Sequence, residues 1–272
     1  MNSYQLSSIY SQDLETKKTW YSPAAIAYNQ TRPGYSQEII SRLVKLAEIP
    51  KNGRILEIGC GPGNATVAFA KQGFSILSIE PNSDFCLLAK ENCQPYPKVE
   101  ILNTSFEEWQ LEAEQFDIVL AATSIHWISP EIAYPKAADV LKETGSLILL
   151  WNVIPEPNPV RYEAAKDLYK TYASSLAPYE DKEAQKSKLK GFEKMILSSG
   201  KFTDIVSDAI ECEKTYSIED YLKLLSTLSP YLKIEEQNRN TLFEKLSQQM
   251  HKDSEDRILM SYLCAFQVAR KN

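Results

Sequence analysis

Residues 55–63 read Ile55-Leu56-Glu57-Ile58-Gly59-Cys60-Gly61-Pro62-Gly63, an apolar run interrupted by one acid and followed by glycine at every second position. Arg54 to Ile58 has the character of a short strand and Asn64 to Gln72 that of a helix ended by Gly73; Phe74 to Ile79 is apolar again. Strand, glycine loop, helix, strand predicts a right-handed parallel crossover. The glycines let the backbone approach a ligand closely and aim the first amides of the following helix at it. Taken alone, the loop specifies only a nucleotide-like ligand.

The flanking residues narrow that class. The dinucleotide fingerprint G-x-G-x-x-G needs Gly or Ala at 64 counted from Gly59, or at 66 counted from Gly61, and those positions are Asn64 and Thr66. This weakens the alternative of an NAD(P)-dependent oxidoreductase. Glu57, one residue before the strand end, is expected to face the loop, where a carboxylate suits an ammonium or the loop amides and repels a pyrophosphate. Glu80 ends the second strand and is placed to accept both hydroxyls of an unphosphorylated ribose. Each is a charge-assisted bond worth roughly 1.5 to 3 kcal/mol. A ribose joined to a cationic amino acid describes S-adenosylmethionine. A further alternative is a non-catalytic S-adenosylmethionine-binding protein that keeps the loop and lacks an acceptor site.

Further out, the alternation continues. Before the first strand, Ser36 to Glu48 has a helical apolar face stopped by Pro50, Asn52 and Gly53. After the second, Ser83 to Asn92 reads as helix, Val99 to Leu102 and Phe116 to Ala121 as strands, Ile132 to Glu143 as a helix closed by Gly145, and Ser146 to Val153 as a strand. Runs such as Ile118-Val119-Leu120-Ala121 and Leu147-Ile148-Leu149-Leu150 suit a parallel sheet covered on both faces, so the fold expected is a doubly wound α/β sheet. Past Val153 come Pro155, Pro157 and Pro159, then a Lys- and Glu-rich helical stretch to about Lys190 that reads as an inserted cap carrying Tyr162, Tyr169, Tyr172 and Tyr179. Strand character returns at Ile205 to Cys212, helices at Ile218 to Leu228 and Gln237 to Met250, and a closing strand at Arg257 to Val268.

Composition bounds the partners. With 43% apolar and 24% charged residues, the 272-residue chain is an ordinary globular one. A net charge of −6 disfavours a protein whose task is gripping phosphate backbones, so no nucleic acid partner is expected. The five cysteines show no metal spacing, no metal is expected, and Cys60 reads as a small space-filling residue. Met1 to Lys18 is polar and no stretch reaches the ~18 apolar residues of a membrane helix. No membrane partner and a cytoplasmic location are the expectations, as a monomer or homodimer.

At this point the sequence resembles the class I S-adenosylmethionine-dependent methyltransferases, and within them the trans-aconitate methyltransferase-like group. The matching stretches are Tyr28-Asn29-Gln30-Thr31-Arg32-Pro33-Gly34-Tyr35, residues 55–63, Ser78-Ile79-Glu80-Pro81, Ser124-Ile125-His126-Trp127 and residues 224–231. The resemblance implies a Rossmann-like seven-stranded, mostly parallel sheet in the order 3-2-1-4-5-7-6 with the last strand antiparallel and a helical cap insertion. Residues 1–153 would be the S-adenosylmethionine-binding core with an N-terminal lid, 154–200 the cap, and 201–272 the completion of the sheet with cap helices. Carried over by position, Gly59 and Gly61 lie against the methionine part, Glu80 with Pro81 at the ribose, Ser105 and Phe106 at the adenine, and Ala121 and Ala122 beside the amino acid. Tyr28 and Arg32 close over the cofactor, the arginine reaching its carboxylate. Ser105 departs from the aspartate many relatives place there.

Methyl transfer from a sulfonium is an in-line displacement with an activated leaving group, so positioning, worth about 7 to 11 kcal/mol, is the main contribution. A base is optional, because a carboxylate acceptor is already ionised. His126, after the fourth strand, is the candidate catalytic residue, as base or acceptor contact. Thr227, Ser229 and Tyr231 are candidates for polar contact with an acceptor carboxylate. The residues Ala121-Ala122-Thr123-Ser124 lack the motifs that grip a DNA base. A small-molecule methyl acceptor, an organic acid or secondary metabolite, is the expected partner.

Overall fold

The computed structural model describes residues 10, 12–111, 113–153, 159–176, 181–252 and 257–272. Tyr179, Pro155 and Pro157 lie outside them. Three short pieces precede the sheet: helix α1 (Leu14–Thr19), a 3-10 turn (Ser22–Ala24) and α2 (Ala25–Thr31). Asp13 caps α1 by accepting the Thr16 amide at 2.8 Å. Then follow α3 (Gln37–Leu46), β1 (Arg54–Ile58), α4 (Asn64–Ala70), β2 (Ser75–Ile79), α5 (Ser83–Cys93), β3 (Val99–Leu102) and β4 (Phe116–Ala122). A 3-10 turn (Ile125–Trp127) leads to α6 (Pro130–Val140) and β5 (Leu141–Asn152). The remainder is α7 (Pro159–Tyr172), α8 (Lys182–Ser198), β6 (Phe202–Ser217), α9 (Ile218–Ser226), α10 (Ser229–Leu232), α11 (Glu236–Lys252) and β7 (Arg257–Lys271).

The seven strands form one sheet in the order β3-β2-β1-β4-β5-β7-β6, with β7 antiparallel to both neighbours, the expected topology. Strand side chains alternate between faces. Val119, Ala121, Leu147 and Leu149 pack with Tyr134 and Ala137 of α6 and Phe192 and Ile196 of α8. Ile118, Leu120, Ile148 and Leu150 pack on the other face with Ile39, Ile40 and Leu43 of α3 and Phe69 of α4.

Two differences from the expected elements have physical causes. The helix expected to run to Glu143 stops at Val140, because Leu141 already pairs with Phe116 of β4 and Lys142 Nζ binds Asp117 at 2.9 Å. Gly145 therefore sits in an irregularity of β5, where a Cβ would lie 2.9 Å from Leu141 and 3.0 Å from the Lys142 carbonyl, not at a helix end. The stretch expected as a cap also divides. Ala165 of α7 joins Tyr221, Leu224 and Leu242 in a separate cluster at the far end of β6 and β7, whereas α8 covers the main sheet.

Candidate active site

The carboxyl ends of β1, β2, β4 and β5 open into one cleft, the position at which open parallel sheets bind ligands. It encloses about 1150 Å³ counting its open mouth. The segment 13–32 crosses it and is stitched down on several sides. Lys18 pairs with Glu108 at 3.1 Å, Asn82 donates to the Lys18 carbonyl and Ser22, and Tyr21 shares a 2.6 Å bond with Ser229. Arg32 donates through Nε to Thr227 Oγ1 at 2.9 Å and through Nη2 to the Thr227 carbonyl at 2.8 Å, with its guanidinium 4.5 Å above the Tyr28 ring. An aromatic group of Tyr21, Tyr28, Phe85 and Trp127, with ring centroids 5.0 to 5.7 Å apart, closes that end.

The glycine loop is built as its sequence requires, with φ of +64° at Gly59, +56° at Gly61 and +90° at Gly63. A Cβ on Gly59 would lie 2.8 Å from Ser124 Cβ, so this glycine permits β1 and β4 to approach; one on Gly61 would meet nothing within 4 Å. The amides of the loop itself are engaged within the protein. The Gly59 and Cys60 amides donate to the Ile79 carbonyl at 2.8 and 3.2 Å, Gly63 to Cys60, and Gly61 to Glu80 Oε2 at 2.8 Å. Glu80, buried at the cleft wall, also accepts the Asn82 amide at 2.9 Å through Oε1. Burial pushes its carboxyl up to about 7 against the pull of those two amides.

Glu57 does not face the cleft, a correction to its expected position. It is fully buried, and its Oε2 accepts Thr66 Oγ1 at 2.5 Å and Ser78 Oγ at 3.2 Å, tying β1 to α4 and β2 behind the loop. Its Oε1 has no partner. Burial first, then Glu80, pushes this carboxyl up to about 7, while the two hydroxyls pull it down.

Of the other expected residues, Tyr28, Arg32, Gly59, Gly61, Pro81 and Ser105 line the cleft, as do Phe106 and Ala122. Ala121 points into the sheet core and is fully buried, because residues 121 and 122 face opposite sides of β4. The loop bearing Ser105 and Phe106 is fixed from below by Lys136 Nζ, which donates to the carbonyls of Phe106, Glu107 and Trp109 at 2.6, 3.2 and 2.5 Å. Ser105 itself donates to Glu108 at 2.8 Å.

His126 lies outside the lining of the cleft. It is buried beside Trp127, whose ring does line it, and Trp151, with centroids 5.8 and 5.9 Å away. Nδ1 has no partner, and desolvation lowers the ring's pKa to about 3. A histidine held neutral in this way is a poor proton acceptor at neutral pH. Thr227 is fully buried and occupied by Arg32 and the Leu224 carbonyl, and Tyr231 donates to Tyr169 at 3.3 Å, so neither is in the cleft. Residues the sequence did not signal include Lys17, whose Nζ donates to the Trp127 carbonyl at 3.0 Å, together with Tyr21, Thr123 and Asn152. Thr123, a β-branched residue held at φ +58°, is a local strain of the kind that gathers at ligand sites.

Comparison with known proteins agrees with this architecture. Residues 56–149 match the methyltransferase domain family. An uncharacterized methyltransferase of Mycobacterium tuberculosis is 30% identical over 136 residues, which are 50% of this chain and 53% of that relative, so the chain spans about half its length. An uncharacterized methyltransferase of Schizosaccharomyces pombe is 25% identical over 81% of this chain and 83% of its own. Among solved structures, a candidate type II methyltransferase from Anaeromyxobacter dehalogenans has a TM-score of 0.64 at 17% identity, covering 88% of this chain and 97% of that one. A phosphoethanolamine N-methyltransferase of Haemonchus contortus, solved with S-adenosyl-L-methionine, has a TM-score of 0.53 at 15% identity, covering 94% of this chain and 58% of that one. The residues matched by that family run from β1 to most of β5, the strands that form the cleft. No helix among the described residues is long and apolar enough to cross a membrane.

Proposed function

We propose that the chain binds S-adenosylmethionine in this cleft and transfers its methyl group to a small carboxylic acid, in the manner of the trans-aconitate methyltransferase-like group. One observation carries the reading: the Gly61 amide of the glycine loop fixes a buried carboxylate, Glu80, at the cleft wall. An anion there repels a pyrophosphate or a 2′-phosphate and suits the hydroxyls of a plain ribose. The alternative of a nicotinamide dinucleotide is disfavoured by Asn64 and Thr66, which stand where its fingerprint needs glycine or alanine. The residues present fit S-adenosylmethionine: Glu80 with Pro81 for the ribose, Ser105 and Phe106 around the adenine, Gly59, Gly61 and Ala122 along the amino-acid part, and Tyr28 and Arg32 above it.

When bound, S-adenosylmethionine supplies a methyl group on an already activated leaving group. This chain's residues orient and enclose: the strap of residues 13–32 excludes water, and Lys17 and Arg32 are the cations among the lining residues. With Arg32 facing the donor's carboxylate, Lys17 is the cation left for a carboxylate acceptor, which needs no base, in agreement with a His126 held neutral and out of the cleft. Calorimetry with S-adenosylmethionine and with NAD tests the donor; the expected result is binding of the first alone. Turnover to S-adenosylhomocysteine over a panel of small carboxylic acids, alcohols and amines tests the acceptor. Turnover confined to alcohols or amines overturns the carboxylate reading, and binding without turnover of any panel member favours the non-catalytic alternative.

A further inference from the structure

Asn152 is the last residue of β5 and lines the cleft beside Thr123, whose Oγ1 accepts the Asn152 amide at 3.4 Å. Its side-chain Nδ2 donates to the carbonyl of Pro33 at 2.9 Å and to that of Gly34 at 3.2 Å. Two carbonyls can be met only by the amide nitrogen, so the chemistry fixes which end of the side chain faces residues 33–34. The other end, Oδ1, is buried and accepts no hydrogen bond. A buried carbonyl oxygen without a donor is an unfavourable feature that native structures retain mainly for a reason.

The neighbouring residue in sequence to Pro33 is Arg32, which also lines the cleft. The bond from Asn152 therefore ties an acceptor oxygen to the segment that carries a cation. A ligand bearing a carboxylate and an ammonium on one carbon presents to such a pair the two charges it calls for. We propose that Asn152 Oδ1 accepts a hydrogen bond from the α-ammonium of the methyl donor, making Asn152 the residue by which the cleft recognises the amino group of its sulfonium ligand. This rests on the methyl-donor reading above. Asn152 has a double task in this assignment: its nitrogen holds residues 33–34 in place, and its oxygen reads the ligand.

The test is a ligand-by-residue cycle on the full chain, measured by calorimetry. The probes are S-adenosylhomocysteine and its analogue with hydrogen in place of the α-amino group. The wild-type chain is expected to prefer the amino-bearing probe by roughly tenfold or more, the scale of a hydrogen bond to a charged group. Asn152→Leu is expected to bind the two probes about equally. Asn152→Asp, which keeps an acceptor oxygen while losing both donors to residues 33–34, is expected to keep the preference. If Asn152→Leu weakens both probes alike and leaves their ratio intact, the residue only anchors residues 33–34 and the assignment is overturned. It is overturned equally if the wild-type chain shows no preference and Asn152→Leu instead weakens amine-bearing methyl acceptors, which would give the ammonium to the acceptor. Wild-type chain that binds neither probe removes this assignment and the methyl-donor reading together; binding with an unchanged ratio removes this one alone.

Discussion

The two sides of the cleft are built on opposite plans. On the β1–β2 side nearly every polar group is answered from within: the amides of Gly59, Cys60, Gly61 and Gly63 all have acceptors, and Glu80 holds two amides. Behind that wall, Glu57 Oε1 has no partner. On the β4–β5 side Asn152 Oδ1 is left over and Thr123 is held in an unfavourable backbone region, and behind that wall His126 Nδ1 has no partner. A wall whose groups satisfy one another is a rigid mould for a ligand that never varies. A wall with an unanswered group depends on its ligand to complete it, as the donor's ammonium would at Asn152 Oδ1.

The largest effect expected from breaking this contrast is at the answered wall. Glu80→Gln removes the charge that the ribose hydroxyls require and faces an amide donor with another donor, so affinity for S-adenosylmethionine should fall by about a hundredfold, from two bonds of about 1.5 kcal/mol or more each. Retention of wild-type affinity would show that the ribose does not lie there. Next comes the seam between the walls. Gly59→Ala drives a Cβ to 2.8 Å from Ser124 in addition to its strained φ, and should lower unfolding stability by about 3 kcal/mol; Gly61→Ala meets only the strain, about 1 kcal/mol. Urea unfolding of the two variants measures the difference, and equal losses would contradict the seam.

The two buried acids give a pH test in which stability and binding move in opposite senses. Both Glu57 and Glu80 rise from 4.5 to about 7 in the folded chain. A folded pKa above the unfolded one contributes stability that is fully present below about 4.5 and is lost as pH rises through about 7. Between pH 6 and 8 each acid releases its proton almost only from the folded state, which costs roughly 1.4 kcal/mol per acid. The thermal midpoint of the ligand-free chain should therefore fall from pH 6 to 8, and Glu57→Gln should about halve that fall. Binding of S-adenosylmethionine should strengthen over the same interval as Glu80 ionises. A midpoint that rises with pH would place the acids outside the core.

Legibility in the sequence follows the same division. The order and length of the central strands could be read because parallel strands covered on both faces are continuously apolar, and Glu80 could be read because it directly ends such a strand. The first residues of β5 could not: Lys142-Glu143-Thr144 are polar and helix-compatible, and only the partner strand, through Phe116 and Asp117, makes them part of the sheet. Helices α1 and α2, six and seven residues long, are too short to show a period. Glu57 was assigned to the loop because the sequence shows where a residue stands and not which neighbours it can reach; Thr66 and Ser78 claim it. Asn152 gave no signal at all, since its meaning depends on two carbonyls 118 and 119 residues away.

The smallest expected effect concerns His126, buried behind the β4–β5 side of the cleft, the residue that composition alone makes most conspicuous. Its neutral form is fixed by burial among Trp127 and Trp151, with a pKa of about 3, so it is already unprotonated across any working range. A group that does not change charge cannot shape a pH profile. The rate profile with the true acceptor should carry a limb near pH 7 from Glu80, and His126→Asn should leave that limb where it is while altering turnover only through the seating of the Trp127 ring. Measuring kcat and KM across pH 5 to 9 for both chains decides the matter. A limb that disappears in His126→Asn would give the histidine a proton to move, and with it an acceptor that needs a base: an alcohol or an amine in place of the carboxylate.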